Sequence, residues 1–434
     1  AVIVAGGKRS PLGDFRHAPI LGPNCQSILT PAEKTKGMAT TIFRGDAPPV
    51  PQVTTLTPGV ANSSEYIAEI NGKQVSVDSD ASALAQEIVE AAQTALEAST
   101  LPEFSEVTWT ENNSIVTGTG PSTGKPFTVT DGGGSGTWTP STTTAADGPN
   151  HWKAANFSAG LPANSDTVIL SGNSTNVLYS LDQNAVTLAL LDIRADFTGE
   201  IGLPEVNADD ASNTYYEYRD THLKISATAL RIGSGSGFGS RRIKINLGSN
   251  ACDATIFSTS SNPADQDEAA VHLVGSHSSN ALQVLGGSVD LSMLPGYSGQ
   301  WATVVASGGA VVRCGYDVTL GTVEASGNAQ IETRKAATTL KTSDQGRIVH
   351  FAGNVTTATV AGGSLTLQAG AAVTIGTVNC YAGRSLDLSN CDATVTITDM
   401  TINATPENPF TINDPGNRLT MTNAASCPNG AGSL

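Results

Sequence analysis

Acidic side chains are the residues of this chain that could most readily carry out chemistry. Two carboxyl groups at a fixed separation can hydrolyse a glycosidic bond, one as acid and the other as base or nucleophile. Three carboxylates lie on strand-like segments, at Asp317, Glu324 and Glu332. Further acidic clusters lie in polar stretches, at Asp209, Asp210, Asp265, Asp267 and Glu268. Carboxylates on the turns of a repetitive β protein are usually solvated, so we predict no catalytic residue and no enzyme.

An aromatic cluster is the best candidate for a binding surface. Aromatic residues make up only 5% of the chain, yet one short stretch carries Tyr215, Tyr216, Tyr218 and Arg219. Tyrosine rings and an arginine can stack on a sugar or on a partner protein. We therefore predict a glycan or partner contact at this stretch. The alternative is an exposed loop that packs on the side of the fold.

Two glycine-rich loops resemble phosphate-binding loops only in part. In the segment 118–126, Thr119 stands where a phosphate loop needs its first glycine, and Pro126 stands where it needs Ser or Thr. No helix follows to present its N-terminal amides, so a hairpin turn is predicted. The segment 233–242 ends in Arg241 and Arg242 and could form an anion-binding nest. A turn between strands is the favoured interpretation there.

Histidines and cysteines give no metal or nucleophile pattern. His272 and His277 are five residues apart, which places them on opposite faces of a strand unless a turn intervenes. None of the six cysteines has CxxC spacing, and no GxSxG motif is present. We predict buried free thiols, formed in a reducing cytoplasm, and no cofactor.

Composition narrows the classes of protein that can position such residues. The 434 residues are 39% hydrophobic and 14% charged, with 45 glycines and no apolar run long enough for a membrane-spanning helix. The net charge is −16, which disfavours nucleic acid as a partner. Residues 1–37 carry five Lys/Arg and two Asp/Glu, a charge of +3, whereas residues 38–148 carry three and thirteen, a charge of −10. The cationic segment is predicted to contact an acidic protein surface.

The first third of the chain is predicted to hold an arm, a small α/β domain and a linker. Residues 1–49 form the extended arm, 50–131 the domain and 132–149 the linker. Within the domain, Asn71-Gly72 predicts a hairpin turn because both residue types tolerate positive φ. A helix begins after Asp80 as N-cap, with an apolar stripe at Leu84, Ile88, Ala91 and Ala95.

Residues 150–434 are predicted to form a β-solenoid. Four segments, 318–333, 338–353, 355–370 and 372–389, each hold two alternating strands around a turn with glycine. The turn glycines 327, 346, 363 and 383 are 19, 17 and 20 residues apart, a spacing typical of stacked rungs. A β-sandwich is the rival fold, although its strands would not repeat one template. The predicted inward residues are Val323, Leu340, Val360, Leu365, Ile375, Val378 and Leu386.

The segment 150–169 resembles the opening rungs of bacterial autotransporter-like and other β-helix proteins. Their pattern is W-x-x-A-A-N-W-S-x-G-x-P, followed by D-x-V-x-I, and the segment from Trp152 to Ile169 is similar to it. It departs from the pattern in having Phe157 in place of the second Trp, one residue instead of two between Trp152 and Ala154, and Leu170 at the last position. The resemblance implies a mainly β fold, a right-handed parallel β-helix that follows the small α/β domain and the arm. It implies no chemistry.

The wider layout is similar to structural proteins of tailed-bacteriophage and prophage virions. The similarity is carried by FRGDAPPVPQVTTLTP, the hairpin EYIAEINGKQVSV, the Ala-rich helix and LPEFSEVTW. It implies a non-enzymatic capsid decoration, cement, spike or fibre protein, a homotrimer anchored by its N-terminal region. Its partners would be capsid or tail proteins and a host surface glycan, without nucleic acid or membrane insertion. The protein would assemble in the host cytoplasm and remain in the virion. The alternative is a cell-surface β-helix adhesin or a phage depolymerase.

Overall fold

A long stack of parallel β-strands dominates the protein. The computed structural model describes residues 38–203, 221–260, 269–294, 296–405 and 407–428. The strands of the stack pair in parallel from Thr40 to Met421, and one continuous apolar core runs inside it. Two small antiparallel sheets and a helix form a separate cluster with its own core.

Ten elements precede the long run of rungs. They are β1 (Thr40–Ile42), β2 (Val53–Gly59), β3 (Glu65–Ile70), β4 (Lys73–Asp78), α1 (Ala85–Ala98), α2 (Pro102–Ser105), β5 (Thr108–Glu111), β6 (Val116–Thr119), β7 (Thr130–Asp131) and β8 (Thr137–Thr144). A single 3-10 turn, Ala154–Asn156, follows them.

The described rungs beyond this point contribute twenty-one strands. They are β9 (Thr167–Leu170), β10 (Asp182–Arg194), β11 (Leu223–Ser234), β12 (Ile243–Asn246), β13 (Asp253–Ile256), β14 (Val271–Val274), β15 (Ala281–Val284), β16 (Ser288–Leu291), β17 (Gly299–Ala306), β18 (Val311–Cys314), β19 (Val318–Ala325), β20 (Gln330–Thr333), β21 (Ala337–Thr342), β22 (Arg347–His350), β23 (Val355–Val360), β24 (Ser364–Leu367), β25 (Val373–Tyr381), β26 (Ser385–Asp387), β27 (Val395–Asn403), β28 (Thr411–Asn413) and β29 (Leu419–Met421).

The parallel rungs predicted over 318–400 are confirmed. From β11 onward each strand pairs in parallel with the strand two places further along the chain. Side chains alternate between core and solvent, and all seven predicted inward residues are at most 1% exposed. Equivalent core positions stack from rung to rung at Val304, Val323, Leu340, Ala358, Val378 and Met400. No rung buries its apolar residues alone, so stacking supplies the core.

The longer strands bend, so that each contributes to two sides of a rung. Strand β17 pairs with β19 through residues 299–301 and again through 303–306. Ala302 and Gly321 lie at the bend, where a side chain on Gly321 would place its Cβ 2.3 Å from the Ala302 carbonyl oxygen. The shorter even-numbered strands, β12 to β28, form another side. From β17 to β26 the turns between sides are only three to five residues long.

The stack begins before the antiparallel sheets, not after them. Strand β1 pairs in parallel with β9, Thr40 opposite Thr167. The predicted arm of residues 1–49 therefore differs from the structure at its C-terminal end, and residues 1–37 of that arm lie outside the described residues. Val50 and Asp147 then exchange two backbone hydrogen bonds of 2.8 and 3.1 Å. Residues 50–147 thus interrupt the first rungs and are referred to below as the insert.

The insert contains the predicted hairpin and helix, with a different buried helix face. Asn71 and Gly72 have φ of 53° and 73°, so the predicted Asn-Gly turn between β3 and β4 is confirmed. Helix α1 begins at Ala85, where the Leu84 N–H donates to Glu87 Oε2 at 3.3 Å, and not after Asp80. Leu84 is 59% exposed. The buried residues are Ile88, Val89, Ala92 and Leu96, so the predicted stripe was wrong by one position over most of its length.

The predicted linker at 132–149 contains an eight-residue strand, β8. Strand β8 pairs antiparallel with β2 along its whole length, and β5 and β6 complete a four-stranded sheet. The Trp138 side chain on β8 is buried and meets the Tyr66 ring edge-on at 5.5 Å between centroids. Alternating threonines and a tryptophan favour a strand, and this pattern outweighs the adjacent glycines.

Candidate functional site

The segment that resembles a β-helix opening holds the first strand in place. The Trp152 and Phe157 rings pack edge-on at 4.9 Å, and Phe157 meets Phe43, which follows β1, at 5.5 Å. All three rings are at most 5% exposed. Together they close the apolar core at this end of the stack.

Two buried polar side chains of the same segment form hydrogen bonds with the backbone around β1. Asn156 donates to the carbonyl oxygens of Gly148 and His151 and accepts from the Ala47 N–H, all at 2.8–2.9 Å. The Asp166 carboxylate accepts from the N–H groups of Ala39 and Ala163, both at 2.9 Å. These two residues act on the backbone of this chain, so their role here is structural.

A ladder of polar side chains runs along the outer face of the even-numbered strands. Lys244, His272, Asp290, Arg313 and Glu332 occupy equivalent positions on five successive rungs. Arg313 donates two hydrogen bonds to Asp290, from Nε to Oδ1 at 2.7 Å and from Nη2 to Oδ2 at 2.8 Å. Neighbouring rungs are about 4.8 Å apart, so equal charges would repel strongly. The alternation of signs from Asp290 to Glu332 avoids this repulsion.

Two buried histidines have a lowered pKa. Burial, followed by the charge of Lys244, lowers the pKa of His222 to about 3, and its ring packs on Tyr297 at 4.7 Å. Burial also lowers the pKa of His350. The His350 ring bonds to the Thr333 hydroxyl and to the Gly353 carbonyl oxygen, both at 2.8 Å. Because Nε2 donates to the carbonyl, Nδ1 accepts from Thr333.

The three carboxylates singled out on the strands each pair with a cation from a nearby position. The separations are 3.5 Å from Asp317 to Lys335, 2.9 Å from Glu324 to Lys341, and 2.8 Å from Glu332 to Arg334. The acidic clusters at 209–210 and 265–268 lie outside the described residues.

The predicted aromatic contact cannot be placed in the fold. Tyr215, Tyr216, Tyr218 and Arg219 all lie outside the described residues. The contact therefore stays a prediction.

Both glycine loops lie against neighbouring backbone. At Gly124, an added Cβ would lie 1.9 Å from the Asp147 carbonyl oxygen, and His151 Nε2 lies 2.8 Å from the Gly124 carbonyl oxygen. The segment 233–242 joins β11 to β12, and its Arg242 pairs with Glu200 at 2.6 Å. Phe238 at the tip of this segment is 90% exposed. The segment 118–126 connects β6 to β7, which lie in different sheets, so the predicted hairpin turn is wrong. The segment 233–242 is a turn between strands, as the favoured interpretation states.

Histidine and cysteine positions give no metal centre in the part of the chain that the structure describes. A turn separates buried His272 from His277, and the described ranges contain no group of three or more His, Cys, Asp or Glu that could hold an ion. Five cysteines are free thiols. Burial raises the pKa of Cys252, Cys314 and Cys380 to about 12, which keeps these thiols protonated.

A cluster on three stacked turns carries an exposed aromatic ring that sequence reasoning missed. It consists of Tyr316, Asp317, Arg334, Lys335 and Phe351, and is called the turn patch here. The Arg334 guanidinium lies 5.8 Å from the centre of the Tyr316 ring and 5.0 Å from that of Phe351. Tyr316 is nevertheless 70% exposed. No local motif identifies the patch, because its members come from different rungs.

A shallow groove of about 280 Å³ lies on the outer face of the odd-numbered strands. Its polar lining includes Asp253, Thr255, Gln283 and Thr303. From Thr303 the same outward column continues through threonines on successive rungs, at Thr322, Thr339, Thr357 and Thr377. The groove lining and this column of threonines offer hydroxyl groups.

Comparisons with protein-family models, curated proteins and solved structures found no match to the chain. Among the described residues, no helix combines the length and the apolar character needed to cross a membrane.

Proposed function

We propose that this chain is a non-enzymatic structural protein of a tailed-bacteriophage or prophage virion. It serves as a capsid decoration or cement protein, or as a spike or fibre. The observation that carries the proposal is the uninterrupted parallel stack from β1 to β29, because a rod with one continuous core suits a load-bearing or projecting part. We further propose that the stack is right-handed, as nearly all parallel crossover connections are.

The N-terminal region is the proposed anchor. The charge of +3 on residues 1–37 complements the charge of −10 on residues 38–148 of another copy. Exposed ion pairs contribute only about 0–1 kcal/mol each, so backbone pairing and apolar contact must supply most of the attachment. The proposed assembly is a homotrimer bound to capsid or tail proteins, formed in the host cytoplasm and retained in the particle.

The experiment that tests this function is to search purified particles for the chain. Particles from an induced lysate are banded on a density gradient, then analysed by quantitative mass spectrometry and by gold-labelled antibody. We expect the chain in the particle band at a fixed ratio to the major capsid protein, with label at symmetric positions. Recovery only from the cell envelope would contradict the proposal and favour an adhesin.

A second measurement separates the structural role from a depolymerase. The purified chain is incubated with host capsule or lipopolysaccharide, and the products are separated by size. We expect no shortened oligosaccharide, since Asp317, Glu324 and Glu332 are each engaged with a cation. Release of oligosaccharides would overturn the non-enzymatic assignment.

A further inference from the structure

Tyr316 is displayed on its turn in a fixed position. The N–H of Gly315, just before it, donates to the Leu291 carbonyl oxygen at 2.8 Å. The carbonyl oxygen of Asp317, just after it, accepts from the Gly299 N–H at 3.1 Å. A side chain at Gly315 would place its Cβ 2.0 Å from the Ser292 carbonyl oxygen, so the turn lies directly on the preceding one. The ring therefore projects from a backbone held on both sides.

One side of the Tyr316 ring is supported by Arg334, whose own position is fixed. The Arg334 guanidinium donates to Glu332 Oε2 at 2.8 Å and to the Cys314 carbonyl oxygen at 3.4 Å. Only 14% of its side chain is exposed. The cation–ring contact restrains the tyrosine, and with 70% of Tyr316 exposed the ring still presents a surface to solvent. A ligand that stacks on this surface has little side-chain entropy to remove.

The groups beside the ring are polar and balanced in charge. Asp317 and Lys335 pair at 3.5 Å, with 69% and 44% of their side chains exposed. They offer one acceptor and one donor next to a flat apolar surface. Sugars are complementary to this combination, since one face of a pyranose carries C–H groups that stack on a ring and its rim carries hydroxyls that form hydrogen bonds.

We propose that the turn patch binds a neutral sugar unit of a surface polysaccharide. The C–H face of a hexose or N-acetylhexosamine stacks on Tyr316, a hydroxyl donates to Asp317, and another accepts from Lys335. The net charge of −16 disfavours an anionic polymer. A protein partner needs a buried interface of roughly 1,000 Å² or more with several anchors, whereas this patch exposes one ring of about the size of one sugar. The inference rests on the proposed function and names the chemistry of its host contact.

The test is binding of the full chain to defined oligosaccharides. Hexamers of cellulose, maltose, chitin and β-1,3-glucan are titrated by calorimetry and by NMR, with oligogalacturonate as the anionic comparison. We expect at least one neutral hexamer to bind, and Tyr316→Ala to weaken it about tenfold, equivalent to ~1.4 kcal/mol. Tyr316→Phe keeps the ring and should stay within about threefold, and Asp317→Asn should weaken binding several-fold.

A matched control separates stacking from a general effect of losing an aromatic residue. Tyr381 is 41% exposed at the end of β25, so Tyr381→Ala should leave affinity unchanged. Thermal melting of every variant should match the parent chain, because Tyr316 is largely exposed. The inference is overturned if no neutral hexamer binds, if oligogalacturonate binds better, or if Tyr316→Ala binds as the parent does. Particle location is measured independently, so failure of this inference is distinguishable from failure of the virion role.

Discussion

At the scale of single residues, the buried polar groups of this protein act on its own backbone. Asn156 satisfies three backbone groups and Asp166 satisfies two. A buried donor or acceptor that loses its partner costs about 1–3 kcal/mol, more than the net gain from making the bond. These residues therefore matter far more to stability than their small apolar surface suggests.

Replacing Asn156 should be strongly destabilising. Asn156→Ala leaves the buried Ala47 N–H without its partner and removes one hydrogen bond from each of two carbonyl oxygens, which keep a backbone N–H donor. We therefore expect a loss of roughly 2–4 kcal/mol in the free energy of unfolding. Urea denaturation measures it. Asn423→Ala removes one exposed hydrogen bond to Asp399 and should change stability by about 0.5 kcal/mol or less. Equal effects of the two variants would refute the role given to Asn156.

The buried histidines predict a loss of stability in acid. His222 and His350 have a lower pKa in the folded chain than in the unfolded one. Above pH 6.5 both states are neutral and the contribution is fully present. As the pH falls below 6.5, the unfolded state takes up protons first and stability declines, for His222 down to about pH 3.

Urea titrations at several pH values between 7.5 and 4.5 measure this decline. His350→Gln removes one titrating group, so its free energy of unfolding should fall less steeply with decreasing pH than that of the parent chain. An unchanged slope in His350→Gln would show that this ring does not contribute.

At the scale of elements, the stacked turns require residues without side chains. Gly346 lies beneath Gly363, whose added Cβ would come within 1.8 Å of the Gly346 carbonyl oxygen. An added Cβ on Gly346 itself would lie 2.1 Å from the Ala325 carbonyl oxygen. At Gly346 and Gly363 the turn thus rests on the backbone of the previous one. At Gly327 and Gly383 the positive φ of 55° and 68° is what favours glycine.

Two glycine substitutions test this packing. Gly346→Ala should destabilise the chain by roughly 1–3 kcal/mol, since the backbone must shift to admit the methyl group. At Gly370 no atom lies within 4 Å of an added Cβ, so Gly370→Ala should be neutral or stabilising by up to ~1 kcal/mol. Thermal and urea unfolding of the two variants check the difference. A Gly346→Ala variant as stable as the parent chain would refute it.

The same elements show where sequence reasoning succeeds. The rungs over 318–389 can be predicted from the sequence because each is 17–20 residues long and repeats the same alternation of core-facing and solvent-facing side chains. The Asn-Gly hairpin can be predicted because both turn residues take positive φ. Helix α1 was found, but its buried face was not, because alanines fill both sides and only contact with the sheets decides which side is covered.

The features that the sequence analysis missed mostly involve contacts between residues far apart in the sequence. Strand β1 is three residues long and pairs with a strand beyond residue 160, so nothing local marks it. Strand β8 was hidden by the glycines before it. The turn patch was missed for the same reason, since Tyr316, Arg334 and Phe351 approach each other only once the rungs stack.

At the scale of the whole molecule, two truncations separate the arm from the stack. Deleting residues 1–37 should leave the melting temperature unchanged and weaken attachment to the particle. Deleting residues 1–46 also removes β1 and Phe43, whose ring contacts Phe157 and Phe197. Loss of a buried phenylalanine costs roughly 3–5 kcal/mol, so this second deletion should lower the melting temperature by several degrees.

Calorimetry and particle co-sedimentation measure the two effects separately. Tight attachment of the shorter truncation would make residues 1–37 a passive extension and contradict the anchoring role. Equal melting of both truncations would show that β1 adds nothing to the stack.

The position of the insert has a consequence for the order of events during synthesis. Strand β1 leaves the ribosome 127 residues before its partner β9, a delay of roughly 6–25 s at about 5–20 residues per second. Meanwhile the insert, whose strands pair with one another, can finish folding and bring Val50 beside Asp147. A closed insert reduces the free chain between β1 and β9 to residues 43–49 on one side and 148–166 on the other, and each halving of a loop lowers its closure cost by about 0.6 kcal/mol. Folding of the insert therefore shortens the loop that must close before β1 can pair with β9, so we expect the first rung to form quickly.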